Sequence, residues 1–302
     1  MKNLKNNILG FFNVHSSSKE FSFRRIIFYL SMAYTYTYLR PLGGQVNDFL
    51  SGANDELWKP ESFFQFFSLD LVKSLYFEDM DKVFIFSLLM CAFGISFRLF
   101  SIVAFFLALF LIGVPINFGK VHHSNFLPLF FIGFFIFSKY SGVISVDALL
   151  KKIFFKKSEP KESLYYMLPF QMMLVHFSSI YFASGFQKMR FSGLDWIFSD
   201  NMRTIILTRP TVTELGASIT YYPKLAIMLA MITVFFELFS PLALFHRYTK
   251  FIFVGGIMAM HIGAKATLGA HGDFTPYVLS LLVFIPWYSW FYKPIEQKLS
   301  RV

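Results

Sequence analysis

The chain has 302 residues, 55% of them hydrophobic and 15% charged, with a net charge of +10. A soluble domain carries about 25% charged residues, and 43 phenylalanines are more apolar surface than a water-soluble core of this size hides. This excludes a soluble enzyme, a disordered chain and, with Cys91 the single cysteine, a disulfide scaffold. A polytopic membrane protein remains.

The expected fold is all-α: one transmembrane helix bundle over residues 1–302, with no separate soluble domain. A spanning helix needs about 20 mostly apolar residues, and the sequence offers eight candidates. In chain order they are Arg25–Leu39, Lys82–Phe97, Leu99–Phe118, Asn125–Tyr140, Leu164–Gly185, Leu225–Phe245, Phe251–Leu268 and Pro276–Trp290. The first begins its apolar run near Ile26 without a small-residue cleavage site, so it is expected to stay as an anchor. Between the first and second lies an acid-rich loop, Asp48–Asp81, whose aromatic run Phe63–Phe67 suits a re-entrant or interfacial helix. The fifth is followed by an amphipathic stretch, Trp196–Leu207.

Loop charges orient the bundle. Lys2, Lys5, Lys19, Arg24 and Arg25 precede the first span, and Arg98 separates the second from the third. Lys151, Lys152, Lys156, Lys157 and Lys161 lie between the fourth and fifth, Arg247 and Lys250 follow the sixth, and Lys293, Lys298 and Arg301 follow the eighth. With eight crossings all fall on one side, which the positive-inside rule makes cytoplasmic, together with both termini. The Lys151–Glu162 segment reads as a solvated topology determinant. No basic face of a soluble module suggests nucleic acid as a partner.

Ionisable groups at membrane depth are costly, so each is a functional-site candidate. The topology puts His122, His123, Lys188, His261, Lys265, His271 and Asp273 at the outer membrane face. The His122-His123 pair reads either as an interfacial pair wetted at the headgroups or as part of a site. His261 and Lys265, four residues apart, share a helix face and read either as an interhelical contact with a snorkelling lysine or as pocket residues. Glu237 lies between Phe236 and Leu238 and needs a partner, structural or catalytic. His176 reads as structural, and Asp147 as a helix cap. No metal is expected: adjacent helical residues diverge by about 100°, so His122 and His123 do not face one ion, and no HxxxH spacing occurs. Neither a nucleophile elbow nor a Gly-rich phosphate loop is present.

Three stretches carry a resemblance. His122-His123-Ser124-Asn125-Phe126-Leu127, closed by Ile144-Ser145-Val146-Asp147-Ala148-Leu149-Leu150, resembles a segment of the vitamin K-dependent γ-glutamyl carboxylase family. Tyr181-Phe182-Ala183-Ser184-Gly185-Phe186-Gln187-Lys188, with Asp195-Trp196 downstream, resembles that family's Tyr-Phe-x-x-Gly-x-x-Lys followed by Asp-Trp. Glu237 with Pro241, and His261 with Phe274 and Leu279, match its later helices more loosely. The likeness runs from about Phe21 to Trp287, and the broader group is the horizontally transferred transmembrane (HTTM) domain proteins.

The resemblance implies a multi-pass protein of the bacterial inner membrane, in contact with lipid, that acts at its outer face on an exported peptide or protein. It implies catalytic roles for Lys188, as the base that deprotonates a reduced, vitamin K-like quinone, and for His123 at the substrate end. His122, Glu237, His261 and Lys265 then belong to the substrate and cofactor pocket. Gln187 stands where the family has the first of two lysines, and His122 where it has asparagine. The animal carboxylase carries a lumenal domain after its membrane domain, whereas this chain ends about a dozen residues after the last expected span. Two readings are therefore carried forward. The first is a quinone-linked, carboxylase-like lyase, aided by a soluble partner subunit that recognises substrate. The second is a non-catalytic maturation or immunity partner of a secreted peptide, of the sporulation-delaying toxin type.

Overall fold

A computed structural model describes residues 16–52, 56–118 and 125–299. They form fifteen α-helices, several extended by short 3₁₀ or π turns, and one two-residue antiparallel ladder of β1 (Ser16–Ser17) with β2 (Glu162–Ser163). The described residues divide into two compact units, one holding residues 16–170 with 282–299 and the other Gln171–Leu281.

The first unit contains α1 (Ser18–Tyr34), α2 (Gly43–Ser51), α3 (Leu69–Leu75), α4 (Met80–Phe93), α5 (Phe97–Ile116), α6 (Phe126–Phe134) and α7 (Val146–Phe155). It also holds the first turns of α8 (Leu164–Ser192) and, after residue 282, α15 (Lys293–Leu299). Ser17 starts α1 by accepting the Glu20 amide, the expected role of a serine N-cap. Phe21, Phe28, Tyr29 and Met32 then fall on one stripe of α1 and are fully buried. Ser18, Ser22 and Arg25, at i, i+4 and i+7, face loop 141–145, where Ser18 and Ser22 accept the amides of Val143 and Ile144. The Arg25 guanidinium donates to the carbonyls of Cys91, Ala92 and Ile144. It thereby caps the C-terminus of α4, whose last carbonyls have no partner within the helix.

The α4–α5 corner turns on Gly94, at φ +66°. A Cβ there would meet Ser145 Cβ at 2.5 Å and Arg25 Nη1 at 2.9 Å, so glycine is required by both conformation and space. Asp147 is a helix cap, as expected, but of α5: its carboxylate accepts the amides of Ser96 and Phe97 at 2.8 and 3.0 Å. Its own helix, α7, is capped by Ser145. The aromatic run is a single 3₁₀ turn, Ser62–Phe66, with Phe64 buried against Gly113 of α5 and Phe66 exposed.

The second unit comprises the remainder of α8, then α9 (Asp195–Phe198), α10 (Asn201–Leu207), α11 (Glu214–Thr220), α12 (Pro223–Leu238), α13 (Arg247–Leu268) and α14 (Thr275–Leu281). Thr211 and Thr213 cap the end of α13, their hydroxyls donating to the carbonyls of Leu268 and Ala266 at 2.6 Å each.

Every expected span corresponds to helical structure, but few of the helices are continuous. Among the described residues, α5 and α13, of 20 and 22 residues, are long and apolar enough to cross a membrane, at about 1.5 Å per residue. The pair α11–α12 makes a third if taken as one span, although it bends by 107°. The others fall short for identifiable reasons. The Leu225–Phe245 segment breaks after Leu238, ahead of Pro241. The Asn125–Tyr140 segment is helical only over Phe126–Phe137. The Pro276–Trp290 segment leaves the α-helix at Leu281. Helix α8 is 29 residues long but contains Pro169, along with the polar Gln171 and His176. The chain is therefore an all-helical protein with two or three membrane-spanning candidates among the described residues.

Candidate functional site

The site is built on one face of α8. Ser178, Tyr181, Gly185 and Lys188 follow one another at i, i+3, i+7 and i+10, a single helical stripe. Two small residues on it set how closely the end of α12 approaches. Ser178 and Ser240 exchange hydrogen bonds, each hydroxyl donating to the other's backbone carbonyl, at 3.3 and 2.9 Å. Two turns along, a Cβ on Gly185 would lie 2.7 Å from the Leu238 backbone nitrogen and 3.0 Å from Glu237 Cβ. The helices thus cross backbone to backbone at Gly185, as glycine permits in membrane-type packing.

That crossing delivers Glu237 to Lys188. The ammonium contacts both carboxylate oxygens, with Nζ 2.5 Å from Oε1. Ser184 donates to Oε1 at 3.2 Å and accepts from Lys188 at 3.4 Å. The Glu237 side chain is 6% exposed and that of Lys188 is 22%. The lysine therefore keeps an open side, partly covered by Trp196, whose ring centroid lies 4.8 Å from Nζ. A cation over an indole face is attracted by the ring quadrupole. Trp196 is held there by the packing of Ile197 with Ala230 and Val234 of α12, which Met189 and Met202 border.

Next to this pair sits a second. Tyr181 Oη and His261 Nε2 are 2.6 Å apart, and both side chains are buried. The His261 ring also packs on Phe274 and Tyr277, with centroids at 4.5 and 5.6 Å. Tyr181 and Lys188 lie on the same stripe of α8, so one helix face carries both pairs: amine and carboxylate, phenol and imidazole. Chemically this cluster can bind a hydroxyl or carboxylate at the open side of Lys188 and redistribute a proton between Lys188 and Glu237.

Of the residues expected at the site, Lys188, Glu237 and His261 are brought together. Lys265 is not part of this cluster. One turn beyond His261 on α13, it pairs with Asp273 at 3.3 Å and with Thr275 at 3.0 Å, half exposed. Burial works to raise the Asp273 carboxyl, but hydrogen bonds from Thr275 and Lys265 outweigh it and hold the group below its ordinary value. This is a loop clasp, not a pocket wall. His122 and His123 lie outside the described residues. Tyr181, Ser184 and Trp196 are the additions that sequence reasoning did not assign. Their signal was present in the α8 stripe and in the Asp195-Trp196 dipeptide. No protein-family model, curated protein or solved structure matches the chain.

Proposed function

We propose that the chain is a membrane-embedded enzyme of the HTTM type, resembling the vitamin K-dependent γ-carboxylases, that acts with a reduced quinone on an exported peptide or protein. In this reading eight segments cross the bilayer with both termini cytoplasmic, the shorter and bent helices accommodated by local thinning and by snorkelling of flanking residues. Lys188 and His123 are the catalytic residues, with His122, Glu237 and His261 toward the substrate and cofactor pocket. A soluble subunit supplies substrate recognition.

The observation that carries the reading is the Lys188–Glu237 pair: a partly accessible amine against a buried carboxylate, with the Tyr181–His261 hydrogen bond beside it. A lysine acts as a base only as the free amine. Here Glu237 is the group within reach that takes its proton, after which Lys188 accepts one from a donor on its open side. The residues suit an aromatic hydroquinone, since Trp196 offers a ring face next to Nζ and His261 carries the apolar rings of Phe274 and Tyr277. When bound, a reduced quinone would supply, with oxygen, the strong base needed to remove a carbon-bound proton. The chain's own residues would orient it, take its hydroxyl proton and exclude water.

The second reading, a non-catalytic maturation or immunity partner, draws on the same pair. A bidentate interhelical ion pair that both serines and a glycine crossing support is also a complete structural contact.

One experiment separates the two. Secreted peptides co-expressed with the chain are analysed by mass spectrometry for a mass gain, with wild type and with Lys188→Arg. Arginine keeps the charge and can still pair with Glu237, through a planar fork in place of a compact ammonium, but stays protonated at any working pH. The enzyme reading expects a loss of about 10²–10⁴-fold at unchanged abundance. Full modification by Lys188→Arg rejects Lys188 as the base and leaves the partner reading.

A further inference from the structure

Helix α7 (Val146–Phe155) is joined to its unit by little more than its first turn. Ala148 is its only buried side chain, while Leu149, Leu150, Ile153, Phe154 and Phe155 are 42–72% exposed. Five large apolar side chains left outside on a ten-residue helix are not a solvated face, and this replaces the expectation of a merely hydrated linker there. At about 100° per residue, Leu149, Ile153, Leu150 and Phe154 occupy an arc of about 140°. Lys151 follows on one border and Lys152 lies on the other, while Lys156, the left-handed C-cap, and Lys157 follow the end of the helix. Lys151 is neutralised by Glu159 at 3.0 Å. Lys152, Lys156 and Lys157 pair with no carboxylate among the described residues.

The geometry points to α7 as an interfacial helix that docks on the surface of an anionic bilayer. Its apolar arc sinks into the headgroup–acyl boundary, and Lys152, Lys156 and Lys157 engage lipid phosphates. An apolar stripe with cations on its borders is what an interfacial helix requires, because the lysine stems lie along the apolar zone while the ammonium groups reach the phosphates. Charge selects this occupant over a protein. A partner's apolar groove would leave three lysines unpaired at the rim, whereas anionic lipid supplies a counter-charge to each, and basic residues at such a surface bind additively. The surface lies on the side that the loop charges make cytoplasmic. The inference is independent of the catalytic reading.

The test uses the full chain carrying Phe154→Cys with Cys91→Ala, so that one thiol takes an environment-sensitive fluorophore. The labelled protein is reconstituted in vesicles of phosphatidylcholine alone and of phosphatidylcholine with phosphatidylglycerol. Quenching by lipids brominated near the headgroup reports docking. The expected result is a docked fraction that rises with phosphatidylglycerol and falls with added salt, as screened charges must. Lys152→Gln, Lys156→Gln and Lys157→Gln should each lower the docking constant about fivefold, with the Lys→Arg versions retaining it. If the glutamine variants fail to reconstitute, the salt and lipid titrations of the labelled parent still decide. No lipid quenching in either vesicle, equal quenching in both, or shielding that depends only on protein density and so marks a second copy would each overturn the proposal.

Discussion

Two cations, the buried Arg25 and the half-buried Lys188, are treated very differently by this protein. Arg25 is fully buried and donates to three backbone carbonyls, at the end of α4 and in the loop before α7. Its partners cannot accept a proton, and a guanidinium does not release one, so this charge serves only architecture. Lys188 faces a carboxylate, stands beside a phenol–imidazole pair and keeps 22% of its side chain exposed. The contrast suggests a way to tell structural from chemical charges in apolar proteins. Arg25 closes on the backbone, whereas Lys188 is given a titratable partner and an opening, the two features that the proposed base requires.

The comparison breaks most directly at Arg25. Arg25→Met leaves the carbonyls of Cys91, Ala92 and Ile144 without their guanidinium donors, and each buried acceptor left unsatisfied costs about 1–3 kcal/mol. The expected outcome is severe loss of membrane abundance, and a large drop in the thermal midpoint of whatever is recovered in detergent. Arg25→Lys should rescue little, because one ammonium does not span carbonyls from two segments. Lys188→Arg, by contrast, should leave the thermal midpoint nearly unchanged. Equal thermal midpoints for the two Arg25 variants and wild type would show that the cap carries no weight.

A second test concerns how Lys188 is brought to its partner. Gly185→Ala places a methyl group against the Leu238 backbone, where no side-chain rotation relieves it. Overpacking of this kind costs about 1–3 kcal/mol. The helix crossing should open, lowering the thermal midpoint and separating Lys188 from Glu237. A Gly185→Ala protein with wild-type stability would show that α8 and α12 are not in backbone contact at this position.

The two regions also differ in how far they were legible. Rarity in apolar helices singled out Lys188, Glu237, His261 and Lys265 as candidates; Lys188 meets Glu237 and His261 meets Tyr181, while Lys265 turns to Asp273. Their pairing was not legible. Lys188 and Glu237 are 49 residues apart, and which carboxylate meets which amine depends on a crossing fixed by a glycine and two serines. Asp147 was recognisable as a cap from its local sequence, but it caps a helix that begins fifty residues earlier. Span count proved the least readable feature. Apolarity places helices well, but Pro241, Pro286 and the turn at Tyr221–Tyr222 decide whether the backbone runs on for 30 Å or stops, and hydropathy does not register those breaks.

The smallest expected effect concerns Lys265, which the sequence placed in the pocket and the structure places in the Asp273 clasp. Asp273 titrates below its ordinary value of 3.8 in the folded protein. A carboxylate with a depressed folded value contributes stability that is fully present above the unfolded value. It is lost as pH falls from there through the folded one. The clasp is largely exposed, so its contribution is screened to a few tenths of a kcal/mol, within the range of about 0–1 kcal/mol for such pairs. The difference in thermal midpoint between wild type and Asp273→Asn should therefore be constant from neutral pH down to about pH 4 and then shrink, the two curves converging in acid. Lys265→Met should lower the midpoint slightly at neutral pH and leave peptide modification unchanged. A strong loss of modification from Lys265→Met would return this lysine to the site beside Lys188, and parallel pH curves for wild type and Asp273→Asn would remove the clasp as a stabilising contact.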